Sequence, residues 1–271
     1  MKLSYTYATP DTKSTSMLAY RGDAEKTFSK LKSLGYQAVE FMVRDSKKLD
    51  IVRIKTALDN SGLVLCAVST GQLRAEDDMN LSDLNESNRK ETVKRTRDVI
   101  DFASGFGVQI NIGSLRGKLP ENREAALNKA TESLSELLDH ALDCGINIAL
   151  EPQNRYTINW LNNIEETLDF CSHFSQSNLK LVFDVYHWLL EEKSIYASLI
   201  KAWNRITHIQ FSDSNRSWPG SGQINFPDLI RVLNALNYDG FISVEAKQAP
   251  SSEYVARRSA DYLLPLLNEK N

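Results

Sequence analysis

Along this chain, short apolar runs with alternating polar positions take turns with longer stretches whose apolar residues recur every three or four positions. The first pattern, rich in Val, Ile, Phe and Tyr, predicts strands near 3–8, 38–43, 64–69, 108–113, 147–151, 180–184, 206–211 and 241–246. The second predicts helices near 23–34, 47–60, 87–106, 121–143, 162–174, 188–203, 226–236 and 252–268. Eight strand and helix pairs follow one another without a linker, which points to a single α/β domain over residues 1–271, a closed (β/α)8 TIM barrel. A doubly wound open sheet shows the same alternation and stays open as the alternative.

Four joints put a glycine between helix end and next strand: Leu34-Gly35-Tyr36, Phe106-Gly107-Val108, Cys144-Gly145-Ile146 and Asp239-Gly240-Phe241. A left-handed helix cap asks for that residue, so these are read as short turns on the bottom of the barrel. The longer polar connections after the third, fourth and seventh strands then fall on the opposite face, where such barrels build their sites.

Composition narrows the function classes. With 42% hydrophobic and 25% charged residues the chain can bury a large core. A formal charge of -3, from 35 acidic and 32 basic residues spread along the chain, argues against nucleic acid as a partner. No run is long and apolar enough for a membrane span or a signal peptide, so the expected location is the cytoplasm. Cys66, Cys144 and Cys171 are isolated, without CxxC spacing, and read as small buried residues rather than a disulfide framework or a thiolate metal site.

The chemistry gathers at the ends of the last four strands: Ala149-Leu150-Glu151, Val182-Phe183-Asp184, His208-Ile209-Gln210 and Ser243-Val244-Glu245. Strand alternation puts each polar end on the face opposite the outer apolar set Ile148, Leu150, Leu181, Phe183, Ile209, Phe211, Ile242 and Val244, hence inward. Neighbouring strands of a closed barrel bring the four side chains around one point. Three carboxylates and an amide oxygen are hard donors, which favour one divalent metal ion, Mn²⁺ or Mg²⁺ first and Co²⁺ or Zn²⁺ after them. A strand-end acid on its own is as often a helix cap or a surface ion pair. Four adjacent strands repeating the position is harder to assign to caps, because clustered buried carboxylates need a cation to stay ionised.

The runs Glu-Pro-Gln-Asn-Arg-Tyr at 151–156, Phe-Asp-Val-Tyr-His at 183–187, His-Ile-Gln-Phe-Ser-Asp-Ser-Asn-Arg at 208–216 and Ser-Val-Glu at 243–245 resemble the xylose isomerase-like superfamily of sugar epimerases and isomerases. Gly35-Tyr36-Gln37-Ala38-Val39-Glu40, Thr70-Gly71-Gln72 and Ile112-Gly113-Ser114-Leu115-Arg116-Gly117 are similar to its branch that holds 5-keto-L-gluconate epimerase. The C-terminal half also resembles D-tagatose 3-epimerase. The resemblance implies Glu151, Asp184 and Glu245 as metal carboxylates, Glu151 and Glu245 also as the acid/base pair, and His187 and Arg216 as contacts to substrate oxygens. Gln72 and Arg155 are placed with the substrate contacts, although a structural ion pair is an equal reading for Arg155, as it is for Glu40. Gln210 stands where the tagatose enzymes have a histidine ligand, although the hydroxypyruvate isomerase branch also has glutamine there, and Thr157 stands where the tagatose enzymes have a glutamate. The second departure leaves the substrate open.

The implied reaction is metal-dependent proton transfer next to the carbonyl of a free ketose or keto-sugar acid, through an ene-diolate, with one glutamate removing the proton and the other returning one. Return to the opposite face epimerises; return to the neighbouring carbon interconverts ketose and aldose. The alternative is a sugar or inosose dehydratase on the same site, in which a β-hydroxyl leaves. A DNA-repair endonuclease of the same superfamily needs a histidine-rich metal cluster, and this chain has 4 histidines, of which His140 and His173 lie in predicted helices. A non-catalytic sugar-binding barrel has no need of two opposed carboxylates. No glycine-rich phosphate cradle follows the last strands beyond Lys247 and the helix start near Ser251, so the expected partner is a free small sugar or sugar acid. Assembly into a homo-oligomer stays open. His208 is read as a hydrogen-bonded core residue and the glycines Gly220 and Gly222 as turn formers.

Overall fold

The structure, a computed structural model, describes residues 1–15 and 18–268. Eight parallel strands are β1 Lys2–Ala8, β2 Ala38–Met42, β3 Val64–Ser69, β4 Gln109–Ile112, β5 Ile148–Leu150, β6 Leu179–Asp184, β7 Ile206–Phe211 and β8 Phe241–Val244. Each pairs with the next, and β8 returns to β1 with Leu3 opposite Ile242 and Tyr5 opposite Val244, which closes the barrel and removes the open-sheet alternative. A two-residue strand, Tyr20–Arg21, adds to the top of β1.

Ten helices surround the strands among the described residues: α1 Ala24–Ser33, α2 Ile51–Ser61, α3 Gly71–Asp77, α4 Glu86–Ser104, α5 Arg123–Asp143, α6 Ile164–Ser172, α7 Val185–Glu191, α8 Ile195–Ala202, α9 Phe226–Ala235 and α10 Ser252–Asn268. Most begin where a short polar side chain can satisfy the free N–H groups of the first turn. Asp23, Asp50, Asn85, Asn122, Asn163, Ser194 and Asn225 all accept such a bond. The helix expected over 188–203 is two helices. The chain leaves α7 in extended geometry at Glu192, and Ser194 caps α8 by accepting the Ala197 N–H. Helix α3 escaped the sequence reading because it is a short segment inside a polar connection.

The outer strand face packs as alternation requires. Ile148, Leu181, Phe183, Ile209, Phe211, Ile242 and Val244 are all completely buried under the helices. The inner face is polar: Ser4, Thr6, Glu40 and Ser243 are also fully buried. Gly35, Gly107 and Gly145 take the expected left-handed conformation, with φ of 94°, 67° and 71°. Gly240 does not; at that joint Asn237 supplies the left-handed residue at φ 57°, a conformation asparagine tolerates better than most residues. Of the cysteines only Cys171 is fully buried, while Cys66 and Cys144 are half-buried. No helix among the described residues is long and apolar enough to cross a membrane.

Candidate active site

Glu151 follows β5 at the rim, its N–H held by the Ile112 carbonyl at 3.0 Å. Asp184 ends β6 and caps α7, accepting the Tyr186 N–H at 2.9 Å. Gln210 lies in register beside Asp184, and Ser243 beside Gln210, so Glu245 emerges just past the end of β8. Its N–H bonds the Phe211 carbonyl at 3.0 Å. A cavity of about 160 Å³ opens here, with Met42, Gln72, Gly113, Glu151, Gln153 and Glu245 among its lining residues.

Arg216 ties two of the carboxylates, Asp184 and Glu245, together. Its Nη1 donates to both oxygens of Asp184, at 3.0 and 2.7 Å, and to Ser212 Oγ at 2.9 Å, while Nη2 stands 3.1 Å from Glu245 Oε2. Its guanidinium also stacks 4.8 Å over the Tyr186 ring. The backbone that delivers it is unusual, with φ 60° at Arg216. The turn is held by the fully buried Asp213, whose carboxylate accepts the N–H groups of Ser214, Gly220 and Ile224. A Cβ at Gly222 would collide with that carboxylate, so this glycine does more than form a turn.

His187 has a fixed tautomer. Its Nδ1 faces two donors of Asn154, the backbone N–H at 3.3 Å and the side-chain Nδ2 at 2.7 Å. The amide cannot be turned round, because Asn154 Oδ1 is engaged by the N–H groups of Tyr156 and Thr157. Nδ1 therefore accepts, and Nε2 carries the proton. That Nε2 lies 3.3 Å from Glu151 Oε1 and 3.8 Å from Asp184 Oδ2. Burial drives the His187 imidazole down to about 4, so it is neutral near pH 7. Glu151, Asp184 and His187 are close enough to share an ion, yet a protonated Nε2 is a donor and not a metal ligand.

Across the barrel, Glu40 anchors a second layer. Its Oε2 contacts His208 Nε2 at 2.8 Å, and its Oε1 accepts from Ser69 Oγ at 2.6 Å, Gln210 Nε2 at 2.9 Å and Asn111 Nδ2 at 3.0 Å. Burial alone would raise its pKa, but His208, Ser69 and Ser243 outweigh burial and hold it down at about 2. A register irregularity between Val39 and Glu40 precedes this residue, the kind of bulge that re-aims a side chain. Below Glu151, the buried Arg116 meets carbonyls: Glu151 O at 2.7 Å, Gly113 O at 2.8 Å, and those of Trp160 and Leu161.

The two cavity glutamates differ from Glu40. Burial pushes Glu151 up to about 8, with Asp184 acting in the same direction. Burial also lifts Glu245 well above the carboxylate range, against Arg216 and with Glu151. At these two glutamates burial thus outweighs the Arg216 guanidinium, and at Glu151 that of Arg116 as well. Gln210 Oε1 and Gln153 Oε1 are buried without a hydrogen-bond partner, and Glu245 Oε2 meets the Arg216 guanidinium at 3.1 Å without a hydrogen bond. Orphaned hard oxygens beside clustered carboxylates fit a divalent cation.

Of the residues singled out from sequence, the fold brings Glu151, Asp184, Gln210, Glu245, His187, Arg216 and Gln72 to this end of the barrel. It does not bring Arg155. That side chain is exposed and forks onto Glu191 at 2.7 Å, at the far end of α7. Thr157 is also exposed, outside the cavity. Gln153, which donates to Glu151 Oε2 at 2.9 Å, went unnoticed, as did Asn154 and Arg116. The first two stand in the same short run as Glu151, and an arginine amid glycines and apolar residues was the signal for the third.

The chain matches the xylose isomerase-like TIM barrel family over residues 28–266. It is 28% identical over 218 residues to the ketose 3-epimerase of Arthrobacter globiformis, covering 80% of this chain and 75% of the relative. With the L-ribulose 3-epimerase of Methylomonas sp. (strain DH-1) it shares 28% identity over 236 residues, 84% of this chain and 82% of the other. The solved apo structure of a 3-keto-D-glucoside 4-epimerase from E. coli superposes with a TM-score of 0.82 at 22% identity, covering 98% of both chains. The barrel, its rim of carboxylates and these matches agree, and the chain belongs to the xylose isomerase-like TIM barrel family.

Proposed function

We propose that this protein is a metal-dependent sugar epimerase acting on a free ketose or keto-sugar acid. The observation that carries the reading is that Glu151 and Glu245, from strands three apart in the barrel, line one small cavity. The relatives named ketose 3-epimerase and L-ribulose 3-epimerase support it.

Glu151, Asp184 and Glu245, with the Gln210 amide oxygen, would hold the cation, Mn²⁺ or Mg²⁺ by their donor chemistry. When bound, such an ion polarises a carbonyl and stabilises the negative charge that develops on its oxygen. One of the two glutamates removes the proton from the carbon beside the carbonyl, leaving an ene-diolate. The other returns a proton to the opposite face, which inverts the centre. His187 offers its Nε2–H to a substrate oxygen, and Gln72 and Gln153 offer amides to the hydroxyls. Arg216 holds Asp184 and Glu245 in place through its contacts to both.

The test is solvent exchange. Free ketoses and keto-sugar acids are incubated with the Mn²⁺-loaded enzyme in deuterated water and followed by NMR. The expected result is an epimer with one deuterium on the carbon beside the carbonyl, abolished in Glu245→Gln. A dehydrated product, or no exchange with any ketose, would overturn the reading.

A further inference from the structure

The closing turns of α4 and α5 hold three side chains that the chemistry above does not use: Asp101 on α4, His140 in the last turn of α5 and Cys144 at its C-terminal cap. His140 Nε2 lies 2.7 Å from Asp101 Oδ1, Cys144 Sγ 3.7 Å from the same oxygen, and Sγ 3.9 Å from Nε2. We propose that this triad binds a transition-metal dication of the zinc class on the outer face of the barrel, as a second site independent of the rim.

The dimensions suit that ion. Zinc sits about 2.0–2.1 Å from nitrogen and oxygen and about 2.3 Å from sulfur; tetrahedral angles then give edges of roughly 3.3 Å for O to N, 3.5 Å for O to S and 3.6 Å for N to S. The protein's three edges, 2.7, 3.7 and 3.9 Å, each fall within about 0.6 Å of these. The Asp101 and His140 pair has only to open slightly. His140 and Cys144 are four apart on one helix, hence on one face, and Asp101 comes from the neighbouring helix. The ion would pin the two helices together.

The surroundings favour a cation. Both helices end here, and helix C-termini carry partial negative charge. Asp143 adds to that potential at Cys144. In the free protein, burial and Asp101 hold the thiol protonated, so binding releases its proton to solvent. An open groove of about 480 Å³ between α4 and α5, lined by Asp101, His140, Arg97 and Glu136, gives the ion access and leaves a fourth position for water. Arg97 opposes the ion, with Nη2 3.4 Å from His140 Nδ1, and Arg89, Lys90 and Lys94 also line the groove, offset by Asp98, Glu132 and Glu136. Arg97 is half-exposed and already 3.4 Å from Glu136, so it can swing aside when Nδ1 takes the proton.

Cobalt titration of the metal-stripped full-length protein tests this. The rim cavity is lined by oxygen donors and the Met42 thioether but no thiol, so thiolate-to-cobalt absorption in the near ultraviolet reports this triad alone. Cys171 is fully buried, and Cys66 points its thiol at the Val39 carbonyl inside the barrel. The expected result is a band saturating at one equivalent per chain and displaced by Zn²⁺. It disappears in Cys144→Ser and weakens at least tenfold in affinity in His140→Ala, while epimerisation by both variants stays at the wild-type rate. Should either variant fail to fold, the wild type still answers, because Zn²⁺ must then block alkylation of Cys144 and a chelator restore it. Absence of the band in wild type, its persistence in Cys144→Ser, or alkylation indifferent to Zn²⁺ would overturn the proposal.

Discussion

The Nε2 of Gln210 donates to Oε1 of Glu40 across the barrel at 2.9 Å, and this bond decides which end of the amide is free. Gln210 Oε1 is left buried without a partner, presented as an acceptor only. Glu40→Gln removes the anion that orients the amide, and with it the reason for Gln210 to expose oxygen rather than nitrogen. Affinity for Mn²⁺ should fall by about 10–100-fold, as for other outer-shell partners of metal ligands. Calorimetric titration measures it, and unchanged affinity would remove Glu40 from this role.

His187→Ala separates a substrate contact from a metal ligand. With Nδ1 accepting from Asn154 and Nε2 protonated, the loss should appear in kcat/KM, by roughly 10–100-fold for one buried hydrogen bond to substrate. Mn²⁺ affinity should change little. If metal binding collapses with the substitution, the tautomer has been assigned wrongly.

Gly113→Ala keeps the fold and disturbs the chemistry. A Cβ there would collide with Glu151 Oε2 and stand 2.5 Å from Gln153 Nε2, so both side-chain ends must shift within the cavity they line. Displacing the glutamate by a fraction of an ångström should cost on the order of 100-fold in kcat. Circular dichroism should stay unchanged, and a fully active variant would show that Glu151 does not need its present position.

Asp77→Asn addresses the support of helix α3, which carries Gln72 into the cavity. Asp77 bonds Arg44 Nη2 at 2.6 Å and Arg95 Nη1 at 2.7 Å. Burial opposes its ionisation, but the two guanidinium partners win and lower its pKa. A depressed folded pKa means the contribution is complete above the unfolded value of about 4 and is lost as pH falls through the lower folded value. The variant should lose about 1–2 kcal/mol at neutral pH. The gap from wild type should close progressively below about pH 4; urea unfolding at several pH values follows it, and a gap that widens on acidification contradicts the ion-pair account.

Periodicity along the chain was enough to determine the strands and their two faces, because a β-strand alternates whatever its neighbours are. It also placed acids at the ends of β5, β6 and β8 and an amide on β7, since a strand end is a local feature. Residues whose partners lie far along the chain were not legible. Glu40 meets Gln210 170 positions away only because the sheet closes, and Arg155 turned to Glu191 because α7 ends beside it. The single helix expected over 188–203 broke at Ser194, where capping competes with continued helix. His187 acquired its tautomer from Asn154, and Asp101 acquired His140 and Cys144 from the neighbouring helix. Local periodicity is written in neighbouring residues, but the direction of a polar side chain depends on which donors and charges barrel closure sets beside it.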